Sequence, residues 1–256
     1  MWVDAERLAF VGPMGTVMRR RMGSVTIYLG LEQPFRFRID GQRWRETRAA
    51  MVPPLVPHGF VANDQLMAAL MIEPEAGTFK DVELDDEGVD ILKAVMLQTY
   101  REMLEHGPAV AAHLDLFHCE HVVLNKGTVR PPIDLRIVRA VERIRATPYM
   151  RVTASQLADQ SDLSFSRFVH LFREQTGLTF RNFVAWKRAR GILETLDQHG
   201  SLTRIAEDTG FPDLSYFSNT VRHTYGLAPR EMFARCAQAT ISIQATGRVI
   251  GLPRPL

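Results

Sequence analysis

The sequence predicts a two-domain chain: an N-terminal all-β barrel with a helical extension, then an all-α domain holding two helix-turn-helix motifs. Three observations carry that expectation. Residues Val152 to Arg173, VTASQLADQSDLSFSRFVHLFR, recur in outline as Ser201 to Arg222, SLTRIAEDTGFPDLSYFSNTVR, and each copy reads as a short helix, a tight turn and a second helix. Between Val25 and Ile72, short aliphatic and aromatic segments alternate with Gly, Pro and Asp/Asn turns, the pattern of closely spaced hairpins. Charge divides in the same place. Cut at Arg130-Pro131-Pro132, the chain carries a net −4 before the cut and +6 after it, so the second part is the one suited to a polyanion.

Composition narrows the class. At 256 residues and 46% hydrophobic content, the chain has enough apolar surface for two domains of ordinary size. Cys119 and Cys236 stand far apart and outside any CxxC pairing, which argues against a disulfide scaffold and for a reducing compartment. No apolar run approaches the roughly 18 residues of a membrane span, and the start, MWVDAERLAF, is too polar for a secretory signal. A soluble, cytoplasmic protein is expected.

In chain order, the first feature is Arg19-Arg20-Arg21. Three adjacent guanidinium groups suit an anionic effector or a DNA-gripping arm, and equally a charged strand edge that resists aggregation. The segments SVTIYLGL, PFRFRI, QRWRETRAAMV and QLMAALMIEP follow as strands, with Phe35-Arg36-Phe37-Arg38-Ile39 alternating as a half-buried strand does and Asp40-Gly41 and Asn63-Asp64 as turns. Val52 to Phe60, VPPLVPHGF, carries His58. After Asp85-Asp86-Glu87-Gly88 the period becomes helical, with Ile91, Leu92, Val95, Met96, Tyr100 and Met103, and a second helix is expected from Pro108 to about Phe117. The stretch from about Val89 to His121 is the candidate dimerisation region. His113, His118, Cys119 and His121 match no standard zinc spacing, and one helix turn cannot present all four together.

The helices of the second half are punctuated by their own residues. Ile137, Val138, Val141 and Ile144 form a stripe that ends before Thr147-Pro148, because the residue before proline resists the α conformation. Thr153 with Gln156 is a capping-box start, and that short helix should stop near Ser161. Ser164 caps the next, and Gly177 ends it. A longer helix then runs from Thr179 to about Asp197, ahead of Gly200. In the second copy Ser201 and Asp213 cap, Gly210 permits the turn, and Gly226 terminates. Leu157 and Ile205 are offset by 48 residues whereas Phe168 and Phe217 are offset by 49, so the second turn is one residue longer.

At these residues the chain resembles the AraC/XylS family of bacterial transcription regulators. The resemblance covers Asp134 to about Phe233, and its most specific element is GFPDLSYFSNTVRHTYGLAPREMF, Gly210 to Phe233. It implies a helical domain whose two recognition helices enter successive major grooves about 34 Å apart. Base-reading places then fall on Ser166, Arg167, Val169 and His170 in the first copy and on Ser215, Ser218 and Asn219 in the second. Arg173 and Arg222 are implied phosphate contacts. Val221 stands where the family commonly has Phe, which predicts a lighter anchor for the second recognition helix.

The N-terminal half looks like the cupin-type sensor domain common in that family. The resemblance implies that Val52 to Phe60 is a loop carrying His58 at the barrel mouth. Metal-binding cupins need a His-x-His pair on an early strand, but that place here reads Arg19-Arg20-Arg21-Met22-Gly23-Ser24, and no histidine precedes His58. No metal, cofactor or catalytic residue is expected. His58, Arg20 and Arg21 remain as candidate effector ligands. The expected partition is a sensor barrel over 1–84, a helical dimerisation and linker region over 85–130, the double helix-turn-helix domain over 131–236 and a tail over 237–256. Double-stranded DNA is the implied principal partner, with a small-molecule effector, RNA polymerase and a second copy of the chain as further partners and no membrane. A cupin-type enzyme and a helical interaction module that does not regulate transcription are the alternatives.

Overall fold

A computed structural model describes residues 1–77, 83–106, 114–124, 132–149, 152–195, 201–237, 241–243 and 248–250. The N-terminal half contains β1 (Trp2–Val3), β2 (Arg7–Pro13), β3 (Thr16–Arg20), β4 (Val25–Gly30), β5 (Phe35–Ile39), β6 (Arg45–Thr47), β7 (Ala49–Val52), β8 (His58–Val61) and β9 (Leu66–Ile72). Two short strands near the C-terminus, β10 (Ile241–Ile243) and β11 (Arg248–Ile250), complete a seven-stranded sheet in the order β11-β10-β1-β2-β9-β4-β7. The second sheet runs β3-β8-β5-β6. All these ladders are antiparallel except β1 with β10.

Three features of this half differ from the sequence expectation. QRWRETRAAMV is two strands, not one. It breaks at Arg48, where Thr47 Oγ1 donates to the Ala49 carbonyl (2.6 Å), and the chain crosses from a β5 partner to a β4 partner. The loop expected over Val52–Phe60 ends in a strand, because His58 and Phe60 are buried between β3 and β5 and Gly59 lets the backbones meet: a Cβ there would lie 2.3 Å from the Met18 carbonyl oxygen. Strand β2, ahead of the segments singled out, is a central strand of the larger sheet.

The helical extension packs on the outer face of that sheet. Helix α1 (Asp86–His106) buries Leu92, Met96 and Met103 but leaves Ile91 largely exposed. Of the helix expected from Pro108 to about Phe117, only 114–117 are described, and there helix begins at Leu116. Leu114 and Asp115 are non-helical, and the Asp115 carboxylate instead caps α2 (Leu116–Val123) by accepting the His118 N–H. Residues 107–113, His113 among them, lie outside the described residues, as does most of the linker at 125–131.

The second half contains α3 (Leu135–Ala146), α4 (Ala154–Gln160), α5 (Phe165–Thr176), α6 (Phe180–Leu193), α7 (Leu202–Asp208), α8 (Leu214–Tyr225) and α9 (Pro229–Ala237). Each cap read from the sequence is made: the Thr153–Gln156 box on α4, Ser164 on α5, Thr179 on α6, Ser201 on α7 and Asp213 on α8. Helix α6 is shorter than expected. Glu194 and Thr195 tighten its end with i→i+3 bonds to Gly191 and Ile192, and Leu196 to Gly200 lie outside the described residues.

The two turns can be superposed bond for bond. Leu163 N–H donates to Ala158 and Phe211 N–H to Ala206, just after a left-handed residue, Asp162 (φ 51°) in one copy and Gly210 (φ 68°) in the other. The extra residue of the second copy is therefore Pro212, placed between that bond and the cap. Helix phase is untouched by it.

Three apolar cores hold the chain. One joins the larger sheet to α1 and α2, and a second is built mainly from α3, α5 and α6, with Phe168, Phe172 and Phe183 fully buried and Leu55 of the N-terminal half packed against it. The third runs from the barrel interior, through Tyr28 and Phe60, into Trp186, Ile205, Phe217 and Val221 of the second unit. Val221 is completely buried. The seat of α8 is completed from behind by the barrel, where Gly226 (φ 74°) abuts β3 so closely that a Cβ would meet Val17 Cγ1 at 2.5 Å.

Charge locks the same junction. A 3-10 turn at Pro74–Ala76 follows β9 and places Glu73 and Glu75 against α6. Buried Glu73 accepts Trp186 Nε1–H (2.8 Å), meets Lys187 Nζ and pairs with Arg190 Nε (2.6 Å), while Glu75 takes Lys187 and Arg145. Burial alone would raise the Glu73 pKa, but Lys187 and Arg190 outweigh it and hold the carboxyl below its ordinary value.

Candidate nucleic-acid interface

The second helix of each unit turns matching positions outward. Ser166, Arg167, His170 and Arg173 of α5 are exposed, as are Ser215, Asn219 and Arg222 of α8. Steps of three and four residues put 166, 170 and 173 on one face and 215, 219 and 222 on its counterpart. Val169 and Ser218 are only half exposed, and Val169 packs partly against the first unit's core. Caps at both N-termini leave other first-turn N–H groups pointing outward, the arrangement that accepts phosphate oxygens.

The arginine triplet divides three ways. Arg19 is exposed and pairs with Asp40 (2.9 Å). Arg20 turns inward, 7% exposed, with its guanidinium 4.8 Å from the Tyr28 ring centre and 5.2 Å from that of Phe60; its Nε and Nη2 have no hydrogen-bond partner among the described residues. Arg21 donates its Nε–H to the Leu55 carbonyl (2.8 Å) and its backbone N–H to Thr224 of α8 (3.3 Å).

His58 sits opposite Arg20 across the β3–β8 ladder. Its Nε2 and the Tyr28 hydroxyl are 2.8 Å apart, and Nδ1 lies 2.8 Å from the Val56 carbonyl oxygen. Burial and then the Arg20 charge hold its imidazole down to about 3, against the pull of that carbonyl. With both nitrogens engaged and no charge at neutral pH, His58 supports Tyr28, on which Arg20 rests. Among the described residues no group of three His, Cys, Asp or Glu side chains is placed to hold a metal ion, and no helix is long and apolar enough to cross a membrane.

Arg20 faces a cavity between barrel and helical half, with about 640 Å³ of atom-free space when its open mouth is included. Its walls are almost wholly apolar: Leu8, Met14 and Phe60 from the barrel, Leu193, Tyr225 and Met232 from the helical half. Tyr225 ties this wall to α6 through a hydrogen bond from its hydroxyl to the Ala189 carbonyl (2.8 Å). Sequence reasoning missed the cavity and the Glu73 cluster. The available signal was Lys187 and Arg190, charged residues lying in step with Phe183 and Trp186 on the inward stripe of α6.

Residues 157–235 match a family model described as a helix-turn-helix domain. Among curated relatives, the chain is 29% identical over 203 residues to the transcriptional activator RhrA of Rhizobium meliloti (strain 1021), covering 72% of this chain and 59% of RhrA. It is 31% identical over 157 residues to the uncharacterized HTH-type transcriptional regulator YpdC of Escherichia coli (strain K12), covering 58% and 53%. The chain thus spans about half the length of the curated relatives it matches. Among solved structures it is similar to Vibrio cholerae ToxT bound to (E)-4-(8-methylnaphthalen-1-yl)but-3-enoic acid, with TM-score 0.60 at 11% identity over 90% of this chain and 99% of ToxT. An unsaturated fatty acid bound ToxT gives 0.56 at 11% identity over 96% and 98%. At such identity the likeness is one of fold, and it extends over both halves: a β-sheet domain followed by a helical one. The helical half of this chain carries a helix-turn-helix domain over residues 157–235.

Proposed function

We propose that this chain is a sequence-specific, effector-responsive transcription regulator that binds double-stranded DNA through α5 and α8. The observation that carries the reading is the pair of capped helices with matching exposed faces inside a recognised helix-turn-helix domain. Ser166, Arg167, Val169 and His170 read one major groove, and Ser215, Ser218 and Asn219 the next. Asn219 suits the N6/N7 edge of adenine. Arg173 and Arg222 fall on phosphates. A second copy of the chain and RNA polymerase are its protein partners; Leu104 on the outward side of α1, 62% exposed, favours that helix as the self-contact. Regulators among the relatives, and a barrel without an early His-x-His pair, support this over a cupin enzyme.

Selection of bound genomic fragments supplies a test duplex. On it, Asn219→Ala is expected to relax preference at one base pair by about 1–3 kcal/mol, and Arg222→Ala to weaken all sequences alike and lower the salt slope by about 1. Equal loss on selected and random DNA for Asn219→Ala would remove its base-reading role.

The effector we propose is an amphipathic anion, its acid on Arg20 and its hydrophobic body in the cavity between the halves. A buried guanidinium without a carboxylate calls for an outside acceptor, and ToxT is the fold relative seen with fatty acid and butenoic acid. An unsaturated fatty acid at about 100 times its Kd should stabilise the wild-type chain by about 2.7 kcal/mol, read as a rise in Tm, and should not shift Arg20→Gln. An equal rise in both proteins would exclude Arg20 as the anchor.

A further inference from the structure

We infer that the barrel itself belongs to the DNA interface, because a continuous trough free of acidic residues runs from the first helix-turn-helix unit along α6 and past α8 to Arg21 of the barrel. Its occupant is one sugar–phosphate strand of the duplex. The inference rests on the DNA-binding reading above and adds to it a surface that neither recognition helix supplies.

Two grooves join to make the trough, sharing Ala185, Tyr216 and Thr220. One end is lined by Val152, Arg181 and Arg188, the other by Arg21, Asn219 and His223. Among the described residues no aspartate or glutamate lines either groove, although the chain carries 29 acids. The groove beside α3 differs, since Glu142 lies among its arginines. An acid-free floor with cations at both ends fits a polyanion, and the evenly spaced charges of a sugar–phosphate strand match it along its length.

The side chains are posed for an outside acceptor. Arg21 is fixed at its backbone by Thr224 and at Nε by Leu55, so its terminal nitrogens keep free donors in a set orientation. Arg181 is exposed, and Arg188 has its guanidinium 5.9 Å from the Phe211 ring centre with Nε unpaired among the described residues. Ala185 is exposed midway, and its small side chain lets a strand approach the helix. Asn219 opens into the same trough, so the backbone of the base pairs it reads passes within reach of Arg21. Arg19, two residues before Arg21 on the barrel, is neutralised by Asp40 and stands outside the track.

The test uses the full chain on a selected duplex, with affinity measured against salt. Arg21→Gln and Arg181→Gln are each expected to lower the slope of log K against log salt by about 1, on selected and random sequences alike, while Arg19→Gln leaves it unchanged. Ala185→Glu, an exposed helix position, is expected to weaken all DNA at least about tenfold, as a carboxylate facing phosphate does, with no change in Tm. Its Tm keeps the test sound if Arg21→Gln misfolds. Unchanged slopes in Arg21→Gln and Arg181→Gln, with Arg222→Ala still lowering the slope, would overturn the trough and leave the DNA reading standing. No salt-sensitive DNA binding by the wild-type chain would overturn the DNA reading instead. Binding to phosphatidylglycerol vesicles that Ala185→Glu abolishes, with DNA affinity unaffected, would assign the trough to a lipid surface and also overturn the proposal.

Discussion

Glu73→Ala is expected to destabilise the chain by about 3–5 kcal/mol, because it strands two cations inside the junction between the halves. Lys187 and Arg190 are 5% and 9% exposed, and with Glu73 gone each keeps only partners that are shared or peripheral: Glu75 for Lys187, Glu194 and the Asp4 carbonyl for Arg190. Trp186 also loses the acceptor for its indole N–H. Urea unfolding measures the loss, and limited proteolysis should show the helical half released from the barrel. A loss under about 1 kcal/mol would mean the cluster is a neutral substitute for apolar packing. The same carboxylate makes stability acid-sensitive. Its folded pKa lies below the ordinary 4.5, so its contribution is complete above that value and is lost as pH falls through the folded one. Glu73→Ala should lack this acid-labile component, and a wild-type stability curve identical in shape to that of the variant below pH 4.5 would contradict it.

Phe172→Ala should cost about 3–5 kcal/mol, with the damage confined to the first unit. Its ring is fully buried and has the Phe168, Phe180 and Phe183 ring centres at 5.7, 5.4 and 5.1 Å. These rings come from α5 and the start of α6, so the loss falls on the first unit. Specific DNA affinity should fall with the placement of Ser166 and His170, while the cavity at Arg20 keeps its ligand response. Val221→Ala in the second unit is expected to cost less, about 2 kcal/mol, since two methyl groups are lost and the barrel still backs α8. Comparable losses at both positions, measured by denaturant unfolding, would show that barrel contact adds nothing to the second seat.

These two substitutions separate what was legible in the residues from what was not. Caps at Thr153, Ser164, Ser201 and Asp213 and terminators at Gly177 and Gly226 act over three or four residues, so their letters suffice to place α4, α5, α7 and α8. The extra turn residue was legible as an offset, and the structure identifies it as Pro212. Strand β8 lies where the family resemblance implies a loop; what makes His58 and Gly59 a strand is the neighbouring backbone of β3 and β5. Within the described part of the helix expected over Pro108 to about Phe117, Asp115 caps a helix starting at Leu116 where apolar spacing alone suggests continuation. Lys187 and Arg190 on the inward stripe of α6 signal a buried acid, but which acid answers them has no local signature, since Glu73 stands more than a hundred residues away.

Taken alone, the residues determined a barrel joined to a double helix-turn-helix, the limits of the recognition helices and which side of each faces outward, because cap chemistry and the 3.6-residue period are properties of short stretches. Only the tertiary structure decided how the arginine triplet divides, with Arg19 paired at the surface, Arg20 buried over Tyr28 and Arg21 bound to α8. It also decided that the second unit shares its core with the barrel interior while the first packs mainly on α3 and α6. Burial and pairing across the junction depend on which distant surfaces meet, and desolvation, not local preference, sets what each buried charge requires there.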